Sequence, residues 1–123
     1  MNCLVWNAQG LGNQLEFQSL HRLIADEDLS LVFLCEMKVT VGQCLNLKTE
    51  LGFDGYYIQD YVGKKGGLIL LWKSPMMVDI QSSSLGHIDG KITHDFRCWR
   101  FTGFYGNLIV DQRVFSWLLL EKL

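Results

Sequence analysis

The sequence predicts an α/β domain with a mixed, mainly antiparallel sheet. Three observations carry that class. Residues 1–35 hold two apolar runs that bracket an amphipathic segment, the pattern of a βαβ unit. From Gly55 onward the pattern changes to short apolar runs separated by turns, as in an antiparallel meander. The length, 123 residues, suits a single core.

Met1 to Asn7 reads as a buried strand. The Gly10-Leu11-Gly12-Asn13 turn leads into a helix from Gln14 to Glu27, where Phe17, Leu20, Leu23 and Ile24 share one face. Asn13 is placed to cap it, with Glu16 three residues later as a capping-box partner. After the acidic Asp26-Glu27-Asp28 loop, Leu29 to Cys35 is a continuous apolar run, expected for a strand covered on both faces. A right-handed crossover would make the two strands parallel neighbours, with Asn7 and Glu36 side by side at their ends. A second helix is expected over Val41 to Leu51, with Gly52 as its stop. The meander then runs through Tyr56 to Asp60, Leu68 to Trp72, Met77 to Ser82 and His87 to Ile92. A hairpin across Thr93-His94-Asp95 leads into Phe96 to Tyr105. Asp111 is placed to cap a last helix, on which Val114, Trp117, Leu118 and Glu121 recur at helical spacing. Leu123 falls inside that apolar helix, so the reading is one truncated domain over 1–123.

Composition narrows the function classes. Fifteen residues are aromatic, and eleven Lys and Arg stand against thirteen Asp and Glu, with no basic tract to mark a nucleic-acid footprint. Residues 1–50 are the acidic half, with three basic against six acidic side chains. Cys3, Cys35, Cys44 and Cys98 show no zinc-ligand spacing and read as core thiols. No apolar stretch approaches the roughly 20 residues that span a membrane, and the N-terminus lacks the layout of a signal peptide. The expected setting is intracellular, nuclear or cytoplasmic, without membrane contact.

Asn7 and Glu36 offer the best chemistry. An amide oxygen and a carboxylate at the ends of neighbouring parallel strands suit magnesium, which keeps several waters and leaves positions for a phosphate. The competing reading makes Asn7 a turn residue and Glu36 the first solvated residue after a strand. Gly10-Leu11-Gly12 approaches a dinucleotide fingerprint, but the third glycine position is Leu15, and a plain tight turn accounts for it. Lys64 and Lys65, between glycines, suit either a phosphate contact or an ordinary hairpin tip. His21 falls on the polar side of the first helix, His94 in a hairpin turn, and His87 at a strand start where local bonds are available. No Ser/His/Asp or Cys/His arrangement is evident.

Five segments occur in an order that resembles the endonuclease/exonuclease/phosphatase superfamily. They are Met1 to Asn7 with Gly10-Leu11-Gly12-Asn13, Leu31 to Lys38, Gly66-Gly67-Leu68 with Leu71-Trp72-Lys73, Gly86-His87-Ile88-Asp89, and Trp99 to Gly106. The resemblance is closest to the deoxyribonuclease-I-like, apurinic-type endonuclease domain of non-LTR (LINE-type) retrotransposons. It implies the N-terminal half of a four-layer α-β-β-α sandwich, with one mixed sheet and helices on one face. It implies a magnesium-dependent phosphoric ester hydrolase acting on DNA. In it Glu36 is the metal-binding glutamate, Asn7 belongs to the metal-site network, and Tyr105 contacts the scissile phosphate.

The chain departs from the family where Trp-Asn-Cys-Arg-Gly reads Trp6-Asn7-Ala8-Gln9-Gly10, where Glu-Thr-Lys reads Glu36-Met37-Lys38, and where a proline is Leu108. The family's Asp-x-Asn and Ser-Asp-His motifs, which supply nucleophile positioning and the general base, do not occur in these residues. The expectation is a retroelement-derived, catalytically incomplete endonuclease-like domain. The alternatives are an interaction or self-association module using the exposed inner face of its sheet, and a relic without selected function.

Overall fold

The computed structural model describes residues 3–7, 14–37, 41–59, 67–84, 86–107 and 114–122. The elements are β1 (Cys3–Asn7), α1 (Gln14–Asp26), β2 (Leu31–Met37), α2 (Val41–Leu51), β3 (Gly55–Gln59), β4 (Gly67–Trp72), β5 (Met77–Ser84), β6 (His87–His94), β7 (Arg97–Asn107) and β8 (Val114–Lys122). Mixed α/β content with two helices and a majority of strands agrees with the predicted class. The expected caps Asn13 and Asp111, the Gly10–Gly12 turn, Lys64, Lys65 and Leu108 lie outside the described residues.

The strands form two sheets where one was expected. The first has the order β1-β2-β4-β3, the second β5-β6-β7-β8. β1 and β2 are parallel, from Cys3↔Leu31 to Asn7↔Cys35, as the βαβ reading requires. Every other pairing is antiparallel. The split follows from burial. β2 and β4 are apolar on both faces, so the first sheet needs cover on both sides. Helices supply one cover: Leu20 and Ile24 of α1 and Cys44 and Leu51 of α2 pack with Val32, Leu34, Ile69 and Leu71. The alternate residues Leu31, Phe33, Cys35, Leu68 and Leu70 face Ile88, Ile92 and Phe101 of the second sheet. The inner face expected to be open is therefore buried. Along β5 exposed and half-buried residues largely alternate, because that sheet has one covered face among the described residues.

Helix α2 has the predicted bounds and closes in a Schellman motif. Gly52, at φ +82°, donates to the Thr49 carbonyl at 3.1 Å, and Phe53 donates to the Lys48 carbonyl at 3.0 Å. Phe53 then enters the core. Asp28, at φ +48°, ends α1 in a related way, with the Leu29 N–H on the Ile24 carbonyl at 3.2 Å. Cys35 and Cys44 are buried thiols as expected and Cys3 is half-buried, where burial pushes its thiol pKa up. Cys98 is exposed, so it is not a core thiol.

The β6–β7 hairpin turns on Asp95 and Phe96, one residue beyond the predicted turn. Both have positive φ (52° and 60°), the requirement of a type I′ connection. Phe96 is thus a turn residue, fully exposed, and β7 begins at Arg97. Glycine is the ordinary residue at such a position, and a left-handed aromatic is strained. Phe96→Gly is expected to stabilise the fold by about 1 kcal/mol, seen as a higher urea midpoint at unchanged m-value.

The last element corrects the sequence reading outright. Residues 114–122 form a strand on the β7 edge, not a helix. Pairing supplies the reason: β7 offers eleven residues of backbone donors and acceptors, and Leu120 packs into the core between the sheets. Tertiary contacts of that kind override local helical spacing.

Candidate functional site

Asn7 ends β1 opposite Cys35, so Glu36 is the next residue along the neighbouring parallel strand. Strand β2 runs two residues past the predicted end and takes in Glu36. Its pairing with β4 passes regularly to Leu34↔Ile69 and resumes at Met37↔Gly67. Two residues of β2, Cys35 and Glu36, therefore stand against Leu68 alone, which is a β-bulge. Bulges bend a strand and re-aim the residues they contain, and they recur beside active sites. The irregularity falls on the one carboxylate that the sequence singles out.

The second sheet adds Tyr105 at the same end. A Cβ on Gly103 of β7 would lie 2.9 Å from the Phe33 ring, so the two strands cross at that level. On the opposite side, the Tyr57 hydroxyl meets the Ser83 hydroxyl at 2.7 Å, and Ser83 donates to the Gln59 side-chain oxygen at 2.6 Å. These contacts align the C-terminal ends of β1, β2 and β7. Tyr105 stands two residues beyond Gly103, about 7 Å along the strand, and pairs with Ser116. Asn7, Glu36 and Tyr105 thus share one end of the sandwich. Their backbones are described, and their side chains lie outside the description.

None of the three histidines stands out as a general base. At the same end, His87 has Nε2 on the Ser82 hydroxyl at 3.1 Å and Nδ1 on the Ser84 hydroxyl. Both ring nitrogens are occupied locally, as its strand-start position suggested. Asp89, two residues on, is held elsewhere, so Ser, His and Asp do not form a catalytic relay. His21 is exposed and stacks on Phe17. His94 lies at the other end, its buried Nδ1 without a partner among the described residues.

Sequence reasoning overlooked one charged cluster. Asp89 is 8% exposed and accepts from Arg100 Nε at 3.3 Å, from a second guanidinium nitrogen at 3.2 Å, and from the Thr102 hydroxyl at 3.0 Å. The Arg100 hydrogen bonds, reinforced by Thr102, hold the carboxyl below the usual carboxylate range against the opposite pull of burial. The signal was available: Asp89 alternates with Ile88, so it takes the polar face of its strand. The cluster ties β6 to β7 and belongs to the fold's stability.

Asn7 and Glu36 are hard oxygen donors of the kind magnesium takes, and two protein ligands suffice for an ion that retains its waters. Among the described residues no group of three or more His, Cys, Asp or Glu gathers to hold a metal. Among the described residues no helix is long and apolar enough to cross a membrane. No family model matches the chain, and no curated protein matches it.

Proposed function

We propose that this chain is a retroelement-derived, endonuclease-like domain of the endonuclease/exonuclease/phosphatase superfamily, with the metal-holding part of a magnesium-dependent phosphodiesterase site. In this reading the two sheets are the inner layers of the four-layer sandwich. The observation that carries it is the convergence of Asn7, the bulged Glu36 and Tyr105 at one end of two packed sheets. That end is where open α/β sheets hold their ligands. Glu36 and Asn7 would hold magnesium, which when bound polarises a phosphodiester and lowers the pKa of an attacking water. Glu36 supplies negative charge, Asn7 fixes a neutral oxygen beside it, and Tyr105 orients a DNA phosphate.

The general base is the missing part. A positioned base contributes about 10²- to 10⁴-fold, and neither Asp-x-Asn nor Ser-Asp-His is present in these 123 residues. The chain alone is therefore a binder of metal and phosphate with turnover at background.

Calorimetric titration with magnesium, paired with nicking of supercoiled and abasic DNA, tests this. Weak magnesium binding is expected, abolished in Glu36→Gln, with no nicking above a blank. Magnesium heats identical in wild type and Glu36→Gln would overturn the metal assignment. Nicking that disappears in Glu36→Ala would overturn the incompleteness.

A further inference from the structure

Residues 114–122 carry two conflicting instructions. Along the chain, Val114, Trp117, Leu118 and Glu121 recur at helical spacing, and Leu118-Leu119-Leu120-Glu121-Lys122 is a run of strong helix formers. In the fold the same residues are β8, paired with β7 from Asn107↔Val114 to Trp99↔Lys122. β8 stands last in its sheet, so among the described residues its backbone is bonded on one side. Two of its partners are Gly103, opposite Leu118, and Gly106, opposite Phe115. A glycine brings no side chain to a cross-strand pair, and such pairs are what stabilise a ladder.

This edge strand supports the candidate site. The β6–β7 ladder ends at His87↔Phe104. Beyond it Tyr105, Gly106 and Asn107 pair with Ser116, Phe115 and Val114 of β8, and with no other described strand. The register of Tyr105 therefore depends on β8.

We propose that β8 is a two-state positioning element: as a strand it holds Tyr105 to Asn107 in register at the site end, and on release from β7 it frees them. Its meaning for function rests on the reading of Tyr105 as a phosphate contact, whereas its behaviour as a switch does not. Opening of this kind is a sub-global event in which contiguous residues exchange as one unit. The unit here is 105–107 together with 114–122.

Amide hydrogen exchange on the 123-residue chain tests it. Amides of 105–107 and 114–122 are expected to exchange together, about 100-fold or more faster than those at the centre of β6 and β7. Leu119→Thr, opposite Thr102, favours the strand and disfavours the helix, and is expected to slow both groups by about fivefold. Ser116→Ala favours the helix and is expected to speed both. Exchange of 105–107 as slow as the sheet centre, or groups that respond independently to the two variants, would overturn the proposal. Coupled exchange in a chain whose magnesium heats ignore Glu36 would keep the switch and remove the phosphodiesterase reading; uncoupled exchange with Glu36-dependent heats would do the reverse.

Discussion

Phe33→Ala is expected to remove about 3–5 kcal/mol of folding free energy, a large part of the roughly 5–15 kcal/mol that a domain of this kind has. Phe33 is fully buried between the sheets, with Leu31, Leu70, Ile88 and Phe101 in the same cluster. Its ring comes within 2.9 Å of where a Cβ on Gly103 would be, so truncation leaves a cavity between the two strands. The reciprocal change has a cost of its own. Gly103→Val would drive side-chain atoms into a ring that cannot turn away, an overpacking cost of about 1–3 kcal/mol. The double variant supplies the check. Valine would occupy part of the space that Phe33 vacates, so the two costs should fall short of their sum by about 1 kcal/mol or more. Urea unfolding of the four proteins measures this, and strictly additive costs would mean that β2 and β7 do not meet at this level.

Asp89→Ala is expected to cost about 1–2 kcal/mol at neutral pH, the value of hydrogen bonds to a charged group reduced by the exposure of its partner. The Arg100 side chain is 56% exposed and regains water when the carboxylate is gone. The pH dependence has a definite sign. Asp89 is held below the usual carboxylate range in the folded chain, so the unfolded chain binds the proton more readily. Its stabilisation is complete above the unfolded pKa of about 4 and is lost as pH falls through the lower folded value. The stability gap between wild type and Asp89→Ala should be flat from neutral pH down to about 5 and narrow below about 4. A gap that widens on acidification would contradict the assignment.

The first four elements were legible because their periods are unambiguous. α1 buries Leu20 and Ile24 at the predicted spacing, α2 has its predicted bounds, and β1 and β2 pair in parallel. The bulge at Glu36 was not legible, since one extra residue leaves no mark on an already continuous apolar run. The Asp89 cluster was half legible. Alternation assigns Asp89 to the polar face, but its partner on β7 depends on the hairpin register. A one-residue error in that turn moves every side chain to the other face, and the turn sits at Asp95–Phe96 instead of Thr93–Asp95. Residues 114–122 misled because helical spacing is a local signal, whereas the free edge of β7 lies outside any local window.

Composition and period alone were enough for an α/β chain with a parallel βαβ start, an antiparallel continuation, and Asn7 and Glu36 at the ends of neighbouring strands. These depend on contacts within a few dozen residues, where spacing specifies which face is buried. Only the tertiary structure decided that there are two sheets, that Glu36 sits in a bulge, that Tyr105 reaches the same end, and that the last segment is a strand. Each of those turns on which distant backbone edge or apolar face is available to be paired or covered. A linear pattern records the need for a partner and does not name it.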